Sequence, residues 1–88
     1  MPKTILILDS APAIRRLIQV NLEHQGYGCR FVEAGNLREL NEVLERESVD
    51  LGIKIGPFNE DEAAAFRRAK VKTFVLRQPS ALLRLKTG

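Results

Sequence analysis

Three short polar clusters follow apolar runs in this sequence, and they are the places where chemistry would have to happen. Asp9-Ser10 follows Ile5-Leu6-Ile7-Leu8, Lys54 lies in Leu51-Gly52-Ile53-Lys54-Ile55 just before Gly56-Pro57, and Arg77-Gln78 follows Thr73-Phe74-Val75-Leu76. Together they offer one carboxylate, one hydroxyl, two cations and an amide. A hard divalent cation wants about six oxygen ligands, and Asp9 with Ser10 supplies too few of them. His24 and Cys29 are the sole histidine and the sole cysteine, so neither an internal disulfide nor a Cys/His zinc set can form. A single histidine beside Gln25-Gly26 suits a helix carboxyl terminus, and Cys29 reads as a small core residue. No serine or cysteine has a plausible histidine and carboxylate beside it for nucleophilic catalysis. Gly52 and Gly56-Pro57 are not followed by the Gly-Lys-Ser/Thr of a phosphate-cradling loop. The expectation is a chain with no metal, no cofactor and no catalytic residue.

The elements that must position these clusters are legible from periodicity. The run Ile5–Leu8 has the continuous apolar character of a strand buried on both faces, which belongs to a parallel sheet. Pro12 suits a first helical turn, and Ile14, Leu17, Ile18 and Leu22 recur at helical spacing, predicting a helix over residues 12–24. Gly28–Val32 reads as a second strand, less apolar and therefore nearer an edge. Gly35-Asn36 opens a helix striped by Leu37, Leu40, Val43 and Leu44. Leu51–Ile55 is a third strand, and Glu60-Asp61-Glu62 begins a helix that closes on Arg67, Arg68 and Lys70, with charges matched to its dipole. Val71–Leu76 is a fourth strand, after which Ser80 could cap a last helix bearing Ala81, Leu82, Leu83 and Leu85. Strict alternation with short connections predicts a doubly wound parallel α/β sheet with helices on both faces. In such sheets ligands gather at the carboxyl ends of the strands, which is where the three polar clusters fall.

Length and charge bound the reading further. The chain has 88 residues, 44% hydrophobic and 28% charged, enough for a single domain over residues 1–88. No apolar run nears the roughly 18 residues of a membrane span and no leader pattern is evident, so the expected location is the cytoplasm. The net charge of +3 is the sum of unlike parts. Residues 1–62 hold seven basic and eleven acidic side chains, a net of −4, whereas residues 63–88 hold seven basic and none acidic, a net of +7. A basic block of this kind is either a solvated face or a surface for an acidic partner or nucleic acid.

Several segments resemble the receiver domain of bacterial two-component response regulators. Lys3-Thr4-Ile5-Leu6-Ile7-Leu8-Asp9-Ser10 through Ile18 is similar to the family's opening strand, acidic turn and helix. Leu22-Glu23-His24-Gln25-Gly26-Tyr27 matches the end of that helix, and Phe31–Asn36 the second strand and its turn. Val49-Asp50-Leu51-Gly52-Ile53 resembles the approach to the phosphorylation site. The match is specific over residues 3–58 and looser beyond. It implies a flavodoxin-like fold shortened to about four strands in the order 2-1-3-4, either truncated after the family's fourth strand or lacking its fourth unit. It also implies a degenerate phosphorylation pocket at Asp9, Ser10, Lys54, Ile55, Arg77 and Gln78. Family members transfer a phosphoryl group to an aspartate with Mg²⁺. Here Ser10 replaces the second acidic residue, Ile55 stands at the acceptor position (Lys54 in a register shifted by one), and Gln78 stands in the place of a lysine before Pro79. With the metal-centred network lost, Asp9 is expected to pair with Lys54 or Arg77 in preference to capping the helix.

The resulting expectation is a phosphorylation-independent pseudo-receiver, not an enzyme, that serves as a protein-interaction or dimerisation module in signalling or transcription. Its contact surface is the basic, edge-exposed end of the chain: Lys72, Phe74, Leu76, Arg77, Leu82, Leu83 and Arg84. A homodimer or another regulatory protein is the expected partner, with no membrane contact. DNA binding is the competing reading, weakened because Phe74 is the only aromatic after residue 66 and no stacking platform exists. A third is the amino-terminal piece of a longer regulator with an effector domain.

Overall fold

A computed structural model of the chain describes residues 2–26 and 28–77. Seven elements follow in alternation: β1 Thr4–Leu8, α1 Pro12–His24, β2 Arg30–Ala34, α2 Leu37–Arg46, β3 Leu51–Ile55, α3 Glu60–Arg68 and β4 Lys72–Leu76. The four strands form a parallel sheet in the order β2-β1-β3-β4, the expected topology. The last helix expected from Ser80 onward, with Gln78, Leu82, Leu83 and Arg84, lies outside the described residues.

Alternation of side chains along β1 divides the core in two. Leu6 and Leu8 pack with Leu40 and Val43 of α2 and Ala65 and Phe66 of α3. Ile5 and Ile7 face the other way, onto Ile18 and Leu22 of α1, together with Ile53 and Leu76. All five residues of β1 are buried, as a central strand covered on both sides requires.

Each element ends for a local reason. Gly26 and Gly56, at φ +82° and +85°, stop α1 and β3 in a conformation that disfavours a Cβ. The Asn36 side chain accepts from the Glu39 N–H at 2.9 Å and opens α2. Asn59 and Glu62 form a reciprocal capping box on α3, at 2.8 and 2.9 Å. The second strand begins two residues later than expected, at Arg30. Its register with β1 starts at Thr4↔Arg30, where the Arg30 N–H donates to the Lys3 carbonyl at 2.8 Å, and it ends at the buried Ala34. Gly28 and Cys29 therefore belong to the approach to the strand.

Candidate functional site

The sheet brings Asp9 and the end of β3 to one side of the molecule, as expected for an open parallel sheet. The last β1–β3 pair is Ile7↔Ile53, so Asp9 and Ile55 stand at a common level just beyond it, and Ile55 pairs onward with Leu76 of β4. Arg77 follows directly and is exposed.

The side chains at this end are engaged with structural partners. The Asp9 carboxylate accepts from the Ala11 N–H at 2.8 Å, turning the chain into α1. The expected Asp9–Lys54 ion pair does not form. Lys54 faces α3, where its Nζ lies 2.6 Å from Oε1 of the largely buried Glu62 and 6.0 Å from the centre of the Phe58 ring. Register explains the difference. Ile53 and Ile55 point to the α1 side, so Lys54 between them must point to the other, where the first turn of α3 presents a carboxylate. Among the described residues Arg77 makes no ion pair with Asp9 either.

The Glu62 carboxylate thus does two things with one oxygen. It accepts from the Asn59 N–H, closing the cap, and from Lys54, tying α3 to the end of β3. Arg15 was not anticipated as part of this end of the sheet. Its guanidinium donates to the Asp9 carbonyl at 2.6 Å and to Glu33 at 3.0 Å, bracing the β1–α1 turn against the end of β2. The signal was present in its position one residue after the apolar Ile14, on the flank of α1 that meets β2.

These residues do not fit a divalent cation. Asp9 is the one carboxylate contributed by the ends of β1 and β3 themselves and its Oδ1 already accepts a backbone N–H, Glu62 is engaged by Lys54 and the Asn59 N–H, Ser10 is exposed, and Ile55 contributes only a hydrocarbon side chain. Among the described residues no three His, Cys, Asp or Glu side chains gather in a metal-binding set.

Four residues of the expected contact surface, Lys72, Phe74, Leu76 and Arg77, fall among the described residues, and one of them is not at the surface. Lys72 and Phe74 are exposed, but Leu76 is buried at 3% exposure and belongs to the α1-side core. Val75, absent from the expectation, is 44% exposed. Arg67, Arg68, Lys70, Lys72 and Arg77 are all exposed, so the described part of the basic block forms a charged surface along the end of α3 and β4. A groove of about 670 Å³ opens beside it on the α1 side, floored by Ile5, Ile53 and Phe74 and rimmed by Lys3, Lys70 and Lys72. It lies at the amino ends of the strands, opposite Asp9 and Ile55.

Architecture, strand order and the position of the polar residues define a receiver-like, flavodoxin-type α/β fold. Solved structures bear this out. A CheY-like response regulator receiver domain protein from Methanospirillum hungatei JF-1 matches over 99% of this chain and 92% of its own, with TM-score 0.61 and 19% identity. The chemotaxis protein CheY4 of Vibrio cholerae matches over 99% and 98%, with TM-score 0.61 and 12% identity. A de novo designed Rossmann fold protein matches over 99% and 95%, with TM-score 0.56 and 16% identity. At these identities the likeness is one of fold. No protein-family model and no curated protein matches the sequence. Among the described residues no helix is long and apolar enough to cross a membrane.

Proposed function

We propose that this chain is a receiver-like domain that acts without phosphorylation, as a protein-interaction module in signalling or transcriptional regulation, and that it is not an enzyme. One observation carries the reading: the end of β3, level with Asp9, is closed by the apolar Ile55, while Lys54 beside it is held by Glu62. An acyl phosphate needs a carboxylate there, and a phosphoryl group needs a cation free to meet its oxygens. Ile55 offers no carboxylate at that position, and Lys54 is already engaged by Glu62. What the domain offers instead is an exposed basic surface and an apolar edge on β4, features suited to a macromolecular partner.

The experiment is incubation with acetyl phosphate and Mg²⁺ followed by intact mass measurement. The expected result is an unmodified chain. A mass increase of one phosphoryl group, mapped to a carboxylate, overturns the reading.

A further inference from the structure

The open edge of β4 specifies how it can be covered. Leu76 accepts from the Gly56 N–H at 2.7 Å, so its backbone groups point to β3. Backbone groups alternate between the two edges of a strand, so those of Lys72 and Phe74 also point to β3, and those of Thr73 and Val75 point outward. Side chains alternate between faces. Phe74, opposite Ile53, lies on the α1 side at the groove, whereas Val75, opposite Lys54, lies on the α3 side. Phe74 and Val75 are 45% and 44% exposed. Among the described residues the edge is therefore apolar on both faces and its outward donors and acceptors meet no partner strand, which makes it a template for another strand.

We propose that a second copy of this chain pairs with it antiparallel through β4, about a two-fold axis at Phe74. The proposal rests on the interaction-module reading and names the partner. Two observations select this arrangement. The first is charge. Lys72 and Arg77 flank the apolar stretch, and in-register parallel pairing would set each against its own copy, a destabilising arrangement. Antiparallel pairing about Phe74 sets Lys72 against Leu76 of the second copy and Arg77 against Val71, so no like charges meet directly. The flanking cations thus disfavour the parallel pair and leave the antiparallel one. The second is backbone. Within the strands, the register centred on Phe74 matches Thr73 of each copy with Val75 of the other, and both outward residues exchange N–H···O bonds in both directions. A shift by two residues in one direction calls on Val71, whose N–H already donates to the Phe66 carbonyl at 2.9 Å. A shift in the other direction carries the pairing past the end of β4, beyond Leu76.

Phe74 then faces Phe74 of the second copy as a non-hydrogen-bonded pair, with Cα atoms about 4.5 Å apart. The two sheets become one continuous sheet, and each groove adjoins the other across the axis.

The test uses the full chain in light scattering from micromolar to near-millimolar concentration, with three variants. Wild type is expected to move from monomer to dimer mass. Val75→Pro removes only an outward N–H, which leaves the β3 pairing intact; it is expected to weaken the dimer about tenfold or more, with an unchanged circular dichroism spectrum. Phe74→Lys sets like charges on the axis and is expected to abolish the dimer. Phe74→Cys in a Cys29→Ser background is expected to form a disulfide-linked dimer on oxidation, since only this register brings the two positions together. A monomeric wild type throughout overturns the proposal, as does a dimer that survives Phe74→Lys or fails to cross-link at position 74. Such a failure leaves the phosphorylation reading standing, because the mass of phosphodonor-treated protein decides that separately.

Discussion

Replacing Gly52 with alanine would drive a methyl group into the Phe66 ring. A Cβ at Gly52 would lie 2.4 Å from Cε1 and 2.6 Å from Cζ of Phe66, whereas carbon atoms in contact sit about 3.5–4.0 Å apart. The ring would have to retreat by about 1 Å, and it has no room. Phe66 is 1% exposed, packed with Leu6, Leu40 and Val43, and braced edge-on by Phe58 at 5.3 Å between centroids. Overpacking of this kind costs about 1–3 kcal/mol, and a clash against a ring that cannot move belongs at the upper end. Alanine restores about 0.5–1 kcal/mol through lower unfolded-state entropy, which leaves a net loss of about 2 kcal/mol. For a domain of this size that corresponds to a melting temperature lower by roughly 8–16 °C. Thermal unfolding followed by circular dichroism measures it, at one fixed protein concentration because self-association would shift the midpoint. Phe66→Leu, destabilising alone, is expected to recover part of the loss in the Gly52→Ala background, with a coupling energy of about 1 kcal/mol or more. A midpoint within about 3 °C of wild type for Gly52→Ala, or strict additivity in the double variant, refutes the argument that close approach of α3 to β3 demands glycine.

Two other perturbations probe the ties around the sheet. Glu62→Gln keeps an oxygen for the Asn59 N–H but removes the charge that holds Lys54; because Lys54 is partly exposed, the expected loss is modest, about 1 kcal/mol in urea unfolding. The Arg30–Glu47 pair is bidentate, at 2.5 and 2.7 Å, and the hydrogen bonds from Arg30 hold the Glu47 carboxyl below its usual range. A carboxyl lowered by folding contributes stability above its unfolded pKa and loses it as pH falls through the folded value. The urea midpoint of wild type should therefore exceed that of Arg30→Met at neutral pH and converge with it in acid, and a difference that persists or grows in acid refutes the pairing.

Much of the fold was legible because each element carries its own period. The continuous run Ile5–Leu8 announces a central strand, Glu60-Asp61-Glu62 a helix start, and Leu51–Ile55 the third strand; the Asn59 cap that opens that helix emerges only in the structure. The parallel order 2-1-3-4 followed from alternation and resemblance together. Misplacements arose where local pattern and pairing disagree. Gly28-Cys29 look like strand, but hydrogen bonding to Lys3 begins only at Arg30. Leu76 looks like part of an exposed edge, yet it is buried with Ile53 and Ile55 in the α1-side core, while Phe74 on the same face opens onto the groove and Val75 on the other face is exposed.

The candidate site divides in the same way. That no carboxylate stands at the end of β3 is a property of the sequence, since Ile55 has no acid to offer in any conformation. Which groups the remaining polar side chains engage was decided only in three dimensions. Asp9 turns to the Ala11 N–H and Lys54 to Glu62, because strand parity and the docking of α3 determine which face each side chain can reach. Residue types along the chain list the available donors and acceptors, but facing is set by register, and register exists only once the strands have paired.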